Sequence, residues 1–308
     1  MWQGSTTKDG KMPALSPLSS LTTYKSNKKK ENDMISKTSL KSLVMGTALA
    51  LGLSSFAQAD SKSTSIWDDV RKSGELRCGA AVIPPYVSLD PAKNVYGGFF
   101  SELCKEFAET VLNVKPVFVD TTWDNIVAGL QSNKWDLAMA LNQTPPRALA
   151  VSFSEPVVDY EISFAYNAKN PKLEGVSGNL TDFDKEGITF VVISGTAMDK
   201  SLTAAVKNGT IMRLSGVDET RLAVMSRRGD VLVDTSDSNR LFGMKNKDWV
   251  TLVTPEPALS KQGISFGLSR NASYADIEVL NIFLREKKAL GHVEALVNKA
   301  SEEFLSQE

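Results

Sequence analysis

WDNIVAGLQSNKWDLAMALNQTPPRALAVSFSEP, residues 123–156, holds the pattern that the rest of the chain repeats. Trp123 to Asn133 places Ile126, Val127 and Leu130 on one side at helical spacing and predicts a helix. WDLAMAL, residues 135–141, then reads as a buried strand, and the Pro145-Pro146 turn behind it carries Arg147. Working upstream, KPVFVD (115–120) is a strand and FFSELCKEFAETVLN (99–113) a helix with Phe99, Leu103, Phe107 and Val111 on one face. ELRCGAA (75–81) is a strand that Pro84-Pro85 ends, preceded by a short helix from Trp67 to Ser73. The order β-α-β-α-β implies a parallel sheet with helices on its faces.

Downstream the same order returns. ITFVVIS (188–194) is a buried strand, and Gly195-Thr196 opens a helix through Val206. IMRLS (211–215) is a strand, GVDETRLAVMSRRG (216–229) a helix, and DVLVD (230–234) a strand. A further helix begins between Asn239 and Met244, Ser265 to Ser269 is a strand, and Tyr274 to Leu305 keeps helical periodicity. Two α/β units with a late return of the chain predict two lobes, with crossings near Tyr160 and near Thr254 to Pro257. On this basis residues 60–160 and 258–308 form lobe 1 and residues 161–257 form lobe 2.

The amino terminus carries a different pattern. From Met34 the chain reads MISKTSLKSLVMGTALALGLSSFAQAD, a basic start, an apolar run and the small-x-small Ala57-Gln58-Ala59. These are the three parts of a secretory signal over 34–59, with a mature terminus expected at Asp60 and export to the periplasm. Residues 1–33 are rich in Ser, Thr and Lys without either period, which predicts an unstructured extension, or sequence upstream of a start at Met34.

Composition removes several classes of function. A net charge of -1 in 308 residues lacks the basic footprint of a nucleic-acid binder. One histidine, His292, and two cysteines, Cys78 and Cys104, are too few for a His/Cys zinc site. Neither a Gly-x-x-x-x-Gly-Lys-Ser/Thr loop nor a Gly-x-Gly-x-x-Gly after a strand is present, and no cofactor is expected.

Several segments, in this order, resemble the periplasmic polar-amino-acid-binding proteins, family 3 of the solute-binding proteins of ABC importers. They are GELRCGAAVIPPY, GGFFSEL, the 123–156 block, VVISGTA and RRGDVLVD, within a match from about Trp67 to Phe304. The resemblance implies the type II periplasmic-binding-protein fold, in which two lobes, each a mostly parallel sheet flanked by helices, close on a ligand about a two-segment hinge. It implies a monomer that binds an amino acid or related small acid and delivers it to a membrane permease, with no catalysis.

A zwitterion in a closed cleft needs both charges met, because an unpaired buried charge is costly. Arg147 suits the carboxylate through two parallel hydrogen bonds, with Asn142 and Thr144 on the same loop as further donors. Gly195 and Thr196 stand at a strand-to-helix turn with free backbone N–H groups. Asp234, at the end of its strand, suits the ammonium, and Trp123 corresponds to a pocket wall. Each has a plainer role open to it: a surface ion pair for Arg147, helix capping for Thr196 and Asp234, and core packing for Trp123.

Departures from the family pattern bear on the ligand. Gly98-Phe99-Phe100-Ser101-Glu102 lacks the first acid of the usual motif. Ala80-Ala81-Val82-Ile83 stands where relatives for basic amino acids place an acid and an aromatic, and Met139-Ala140-Leu141-Asn142 replaces a Ser/Thr-rich segment. A less polar pocket and an uncharged or apolar ligand follow. The resemblance also reaches enzymes on this fold, the periplasmic cyclohexadienyl (prephenate/arogenate) dehydratases, whose general acid falls near Asp237. Cys78 and Cys104 sit on a strand and on the helix that packs against it; an oxidising compartment permits a bridge, while the core-facing positions favour two separate buried thiols.

Overall fold

The computed structural model describes residues 65–306. The expected extension over 1–33 and the signal over 34–59 lie outside the described residues.

The first half runs α1 (Ile66–Ser73), β1 (Glu75–Ala80), β2 (Ser88–Asp90), β3 (Val95–Gly97), α2 (Phe99–Glu106), β4 (Lys115–Asp120), α3 (Ile126–Gln131), β5 (Leu137–Asn142), α4 (Pro145–Ala148), β6 (Ser152–Phe153) and β7 (Val158–Asn167). The second runs α5 (Leu180–Phe183), β8 (Thr189–Ile193), α6 (Ala197–Ala205), β9 (Thr210–Leu214), α7 (Val217–Met225), β10 (Val231–Thr235), α8 (Ser236–Lys245), β11 (Val250–Val253), β12 (Lys261–Leu268), α9 (Tyr274–Ala289) and α10 (His292–Ser306). α2 continues as π-helical backbone over Phe107–Leu112.

The main sheet follows the order β4-β1-β5-β12-β7-β10-β8-β9. β1 is parallel to β4 and β5, and β8 is parallel to β9 and β10, as the two α/β repeats require. Antiparallel β12 closes the first parallel set against β5, and antiparallel β7 closes the second against β10. β7 and β12 pair with each other over Val158–Glu161 and Lys261–Ile264 and then change partners, β7 to β10 and β12 to β5. Two lobes therefore share two continuous strands, a type II periplasmic-binding-protein architecture.

Each lobe has its own aromatic core. Phe100 meets Phe266 edge-on at 4.9 Å between centroids and packs with Phe99 at 5.1 Å in the first. Phe164 packs against Phe183 at 5.2 Å and Phe190 at 5.8 Å in the second. On the other face of the second sheet, Leu232, Val191, Ala223 and Phe242 form a separate cluster under α7 and α8.

The structure departs from the sequence-based expectation in four places. The crossing near Tyr160 lies within the ten-residue strand β7, whose mixed string VDYEISFAYN has no clean alternation. The helical run from Tyr274 breaks at Gly291, which takes φ 70° and separates α9 from α10. α3 starts at Ile126, so Trp123 belongs to the turn before it. Cys78 of β1 and Cys104 of α2 are joined by a disulfide with Cα atoms 6.9 Å apart, which corrects the expectation of separate thiols. Both sulfur-bearing side chains are buried, as core-facing positions imply, and the packing of α2 on β1 brings them together.

Candidate functional site

The two lobes are closed on each other over a narrow cavity of about 10 Å³. Ile83, Ala140, Met198 and Ile264 supply apolar walls, Tyr86 and Trp123 aromatic ones, and Asn142, Thr196 and Thr235 the polar atoms. β1, β5 and β12 bring the first lobe's contribution; β8, β10 and the helices after them bring the second's. The cavity thus lies beyond the carboxyl ends of parallel strands, where open α/β sheets receive ligands.

Tyr86 owes its place to the turn over 83–87. Its backbone carbonyl accepts a hydrogen bond from Phe100 N at 3.0 Å, and that of Pro85 accepts from Phe99 N at 3.2 Å, so the turn caps the free N–H groups of α2. Gly98 makes this approach possible: it takes φ 88°, and a Cβ there would stand 2.6 Å from the Tyr86 carbonyl oxygen. Burial pushes the Tyr86 phenol well above its ordinary pKa, and nearby Asp237 adds to the effect. Its hydroxyl crosses the cleft to donate to Asp237 Oδ2 at 3.0 Å.

Arg147 stands on the four-residue α4, where Thr144 Oγ1 caps the helix by accepting from Arg147 N at 3.3 Å. Thr144 thereby fixes the arginine's turn and does not line the cavity. The guanidinium donates through Nη1 to the Asn142 carbonyl at 3.5 Å and through Nη2 to the Gly195 carbonyl of the other lobe at 3.3 Å. Among the described residues no carboxylate forms an ion pair with it. Burial draws its pKa down to about 10, opposed only by Tyr160. Asn142 is 5% exposed, and its Nδ2 donor has no hydrogen-bond partner among the described residues. Two donors on one loop therefore lack an anionic acceptor beside an enclosed space.

Gly195 and Thr196 face them. Gly195 takes φ 73°, and a Cβ there would meet Asp124 N at 2.7 Å, so the closed lobes touch at a residue without a side chain. Thr196 Oγ1 caps α6 by accepting from Asp199 N at 3.1 Å, while the residue lines the cavity, so capping and site roles coincide. Trp123 also lines the cavity and donates from Nε1 to the Val82 carbonyl at 3.4 Å.

Asp234 is not among the cavity-lining residues. It is 1% exposed and accepts from Ser238 Oγ at 2.7 Å and Thr235 N at 2.7 Å. Arg221 of α7 lies close enough to lower its pKa, and burial raises it on balance. Strand parity explains the placement. Val231, Val233 and Thr235 share one face of β10, and Leu232 and Asp234 share the face under α7 and α8. The acid that reaches the cleft is Asp237, which also lies 3.6 Å from Arg240.

A sequence profile of the bacterial extracellular solute-binding proteins, family 3, matches residues 76–306. The chain belongs to this family. A probable histidine-binding protein of Campylobacter jejuni is 27% identical over 205 residues, covering 66% of this chain and 75% of that protein. Among solved structures, the ancestral amino acid-binding protein AncCDT-1, a precursor of cyclohexadienyl dehydratase, superposes with a TM-score of 0.68 at 26% identity over 76% of this chain and 98% of its own. A mutant of ArgBP from T. maritima gives 0.67 at 25% identity over 76% and 97%.

Within this family 3 solute-binding protein, sequence reasoning missed Tyr86, Met198, Thr235 and Ile264. Tyr86 follows the Pro-Pro turn quoted above, and Thr235 follows from the parity of DVLVDT; both signals were available. Ile264 depends on the antiparallel pairing of β12 with β5, which no local pattern announces. Among the described residues no cluster of His, Cys, Asp and Glu is suited to a metal, and no helix is long and apolar enough to cross a membrane.

Proposed function

We propose that this family 3 solute-binding protein is the exported, monomeric binding component of an ABC importer, which captures an α-amino acid between its lobes and hands it to a membrane permease unchanged. The observation that carries this is the Arg147 guanidinium, half-buried at the seam of the lobes with two backbone carbonyls and, among the described residues, no carboxylate. A ligand carboxylate completes it, assisted by Asn142 Nδ2 and the free N–H groups at the start of α6. Asp237 and Thr235 on the opposite wall take the ammonium, in place of Asp234. The names of the relatives, which speak of histidine, arginine and amino acids, agree with this ligand class. β7 leaves β12 for β10 after Glu161, which supports dividing the lobes at 160/161, while the second division, at 257/258, precedes β12.

A dehydratase on this scaffold needs a protonated carboxyl in the cleft as general acid. Asp237 instead accepts from the Tyr86 hydroxyl at 3.0 Å and lies 3.6 Å from Arg240, so partners from both lobes already engage it. Binding without turnover is therefore the better reading. Thermal melts against a panel of amino acids test it. A ligand at a hundredfold excess over its Kd stabilises the protein by about 2.7 kcal/mol, and Arg147→Ala abolishes the shift. Melts that no amino acid moves, or phenylpyruvate formed from prephenate, would overturn it.

A further inference from the structure

We infer that the captured amino acid has an uncharged side chain, an assignment that rests on the reading of Arg147 as the carboxylate clamp. The lining of the closed cavity contains neither a carboxylate nor a cationic side chain. With Arg147 holding the α-carboxylate and Asp237 the α-ammonium, both charges at the margin of the cavity are used. A lysine or arginine side chain entering the Ile83, Ala140, Met198 and Ile264 walls would leave water with no anion to meet it, and an unanswered buried charge is strongly disfavoured. Glutamate or aspartate would need a second cation, and no cationic side chain lines the cavity; Arg240, beside Asp237, is exposed.

The remaining acids in this region are not among the residues lining the cavity. Asp234 is turned away towards Ser238 and Arg221. Asp159 and Glu161 line a separate open groove along the hinge strands, where Glu161 pairs with Lys261 at 2.9 Å. Asp124, an exposed residue, packs against Gly195. This sets the protein apart from relatives whose names specify arginine, although the fold is shared.

Calorimetry with ligand-free protein decides the matter, with L-alanine, L-serine, L-valine and L-leucine set against L-lysine, L-arginine and L-glutamate. The expected result is that at least one uncharged amino acid binds more than about tenfold tighter than every charged one, the equivalent of 1.4 kcal/mol. Equal or tighter binding of a charged amino acid overturns the side-chain assignment and leaves the amino-acid reading standing. Failure of all seven overturns both. Met198→Glu adds a carboxylate of similar reach at the second residue of α6, where the helix dipole favours it. Relative affinity for L-lysine should rise about tenfold in this variant; an unchanged ranking places the ligand side chain elsewhere and overturns the assignment.

Discussion

Arg221 and Arg147 both carry a guanidinium out of water, one in each lobe, and their surroundings treat them differently. Arg221 is 8% exposed, donates from Nη2 to Ser238 Oγ at 3.1 Å, lies beside Asp234 and covers the rings of Phe242 and Phe304 at 5.8 and 4.8 Å. Its charge is met by the protein itself, through Ser238, the nearby Asp234 and Asp218 and two aromatic rings, although Nε has no hydrogen-bond partner among the described residues. Arg147 has two long contacts to carbonyls and, among the described residues, no anion. Burial lowers the pKa of both; Asp234 and Asp218 oppose this at Arg221, whereas at Arg147 only a tyrosine does. A protein that buries a cation normally supplies its counter-ion. On the proposed reading, the lobe that omits it marks the place where a solute brings one.

Removing each cation in turn separates the two roles. Arg221→Ala leaves Asp234 buried without its cation and should cost about 3–5 kcal/mol of stability in urea titrations, a loss within about 1 kcal/mol counting against a structural pair. Arg147→Ala should do the reverse. Affinity falls by about 2–5 kcal/mol in calorimetry, while the urea midpoint of the ligand-free protein stays close to the wild type or rises, because an unanswered charge has been removed. Equal losses of stability in both variants would erase the distinction.

The smallest effect is in pH dependence. Burial raises the Asp234 carboxyl above its ordinary value, and the Arg221 charge and the hydrogen bonds from Ser238 and Thr235 offset only part of this. A carboxyl with a higher pKa in the folded chain binds more protons there than in the unfolded one. Its contribution to stability is therefore largest below the unfolded value of about 3.9 and declines as pH rises through the folded value. The stability of the wild type minus that of Asp234→Asn should shrink across that rise. A difference that grows with pH would mean that Arg221 outweighs burial.

Much of this was readable in the chain. The alternation of strand and helix on both sides of 123–156 carried the two α/β units, because buried parallel strands and amphipathic helices leave strong periodic marks. The Thr-Pro-Pro-Arg turn drew attention to Arg147, and Gly195-Thr196 to the opposite wall. Asp234 was harder, since a strand turns successive side chains to opposite faces and a position one residue away serves another purpose. Thr235 took the cleft and Asp234 the interior. β7 escaped because it passes from one lobe into the other and follows neither lobe's burial pattern. The bridge between Cys78 and Cys104 required knowing how α2 lies over β1, a matter of tertiary packing.

Gly195 behaves as the rebate of a door frame, the recess that lets the leaf shut flush. With Asp124 N only 2.7 Å from where a methyl group would stand, even alanine acts as a doorstop. Gly195→Ala would hold the jaws ajar, and small-angle scattering with saturating ligand should record a particle that no longer contracts. The absence of one methyl group thus sets how far the whole machine can shut.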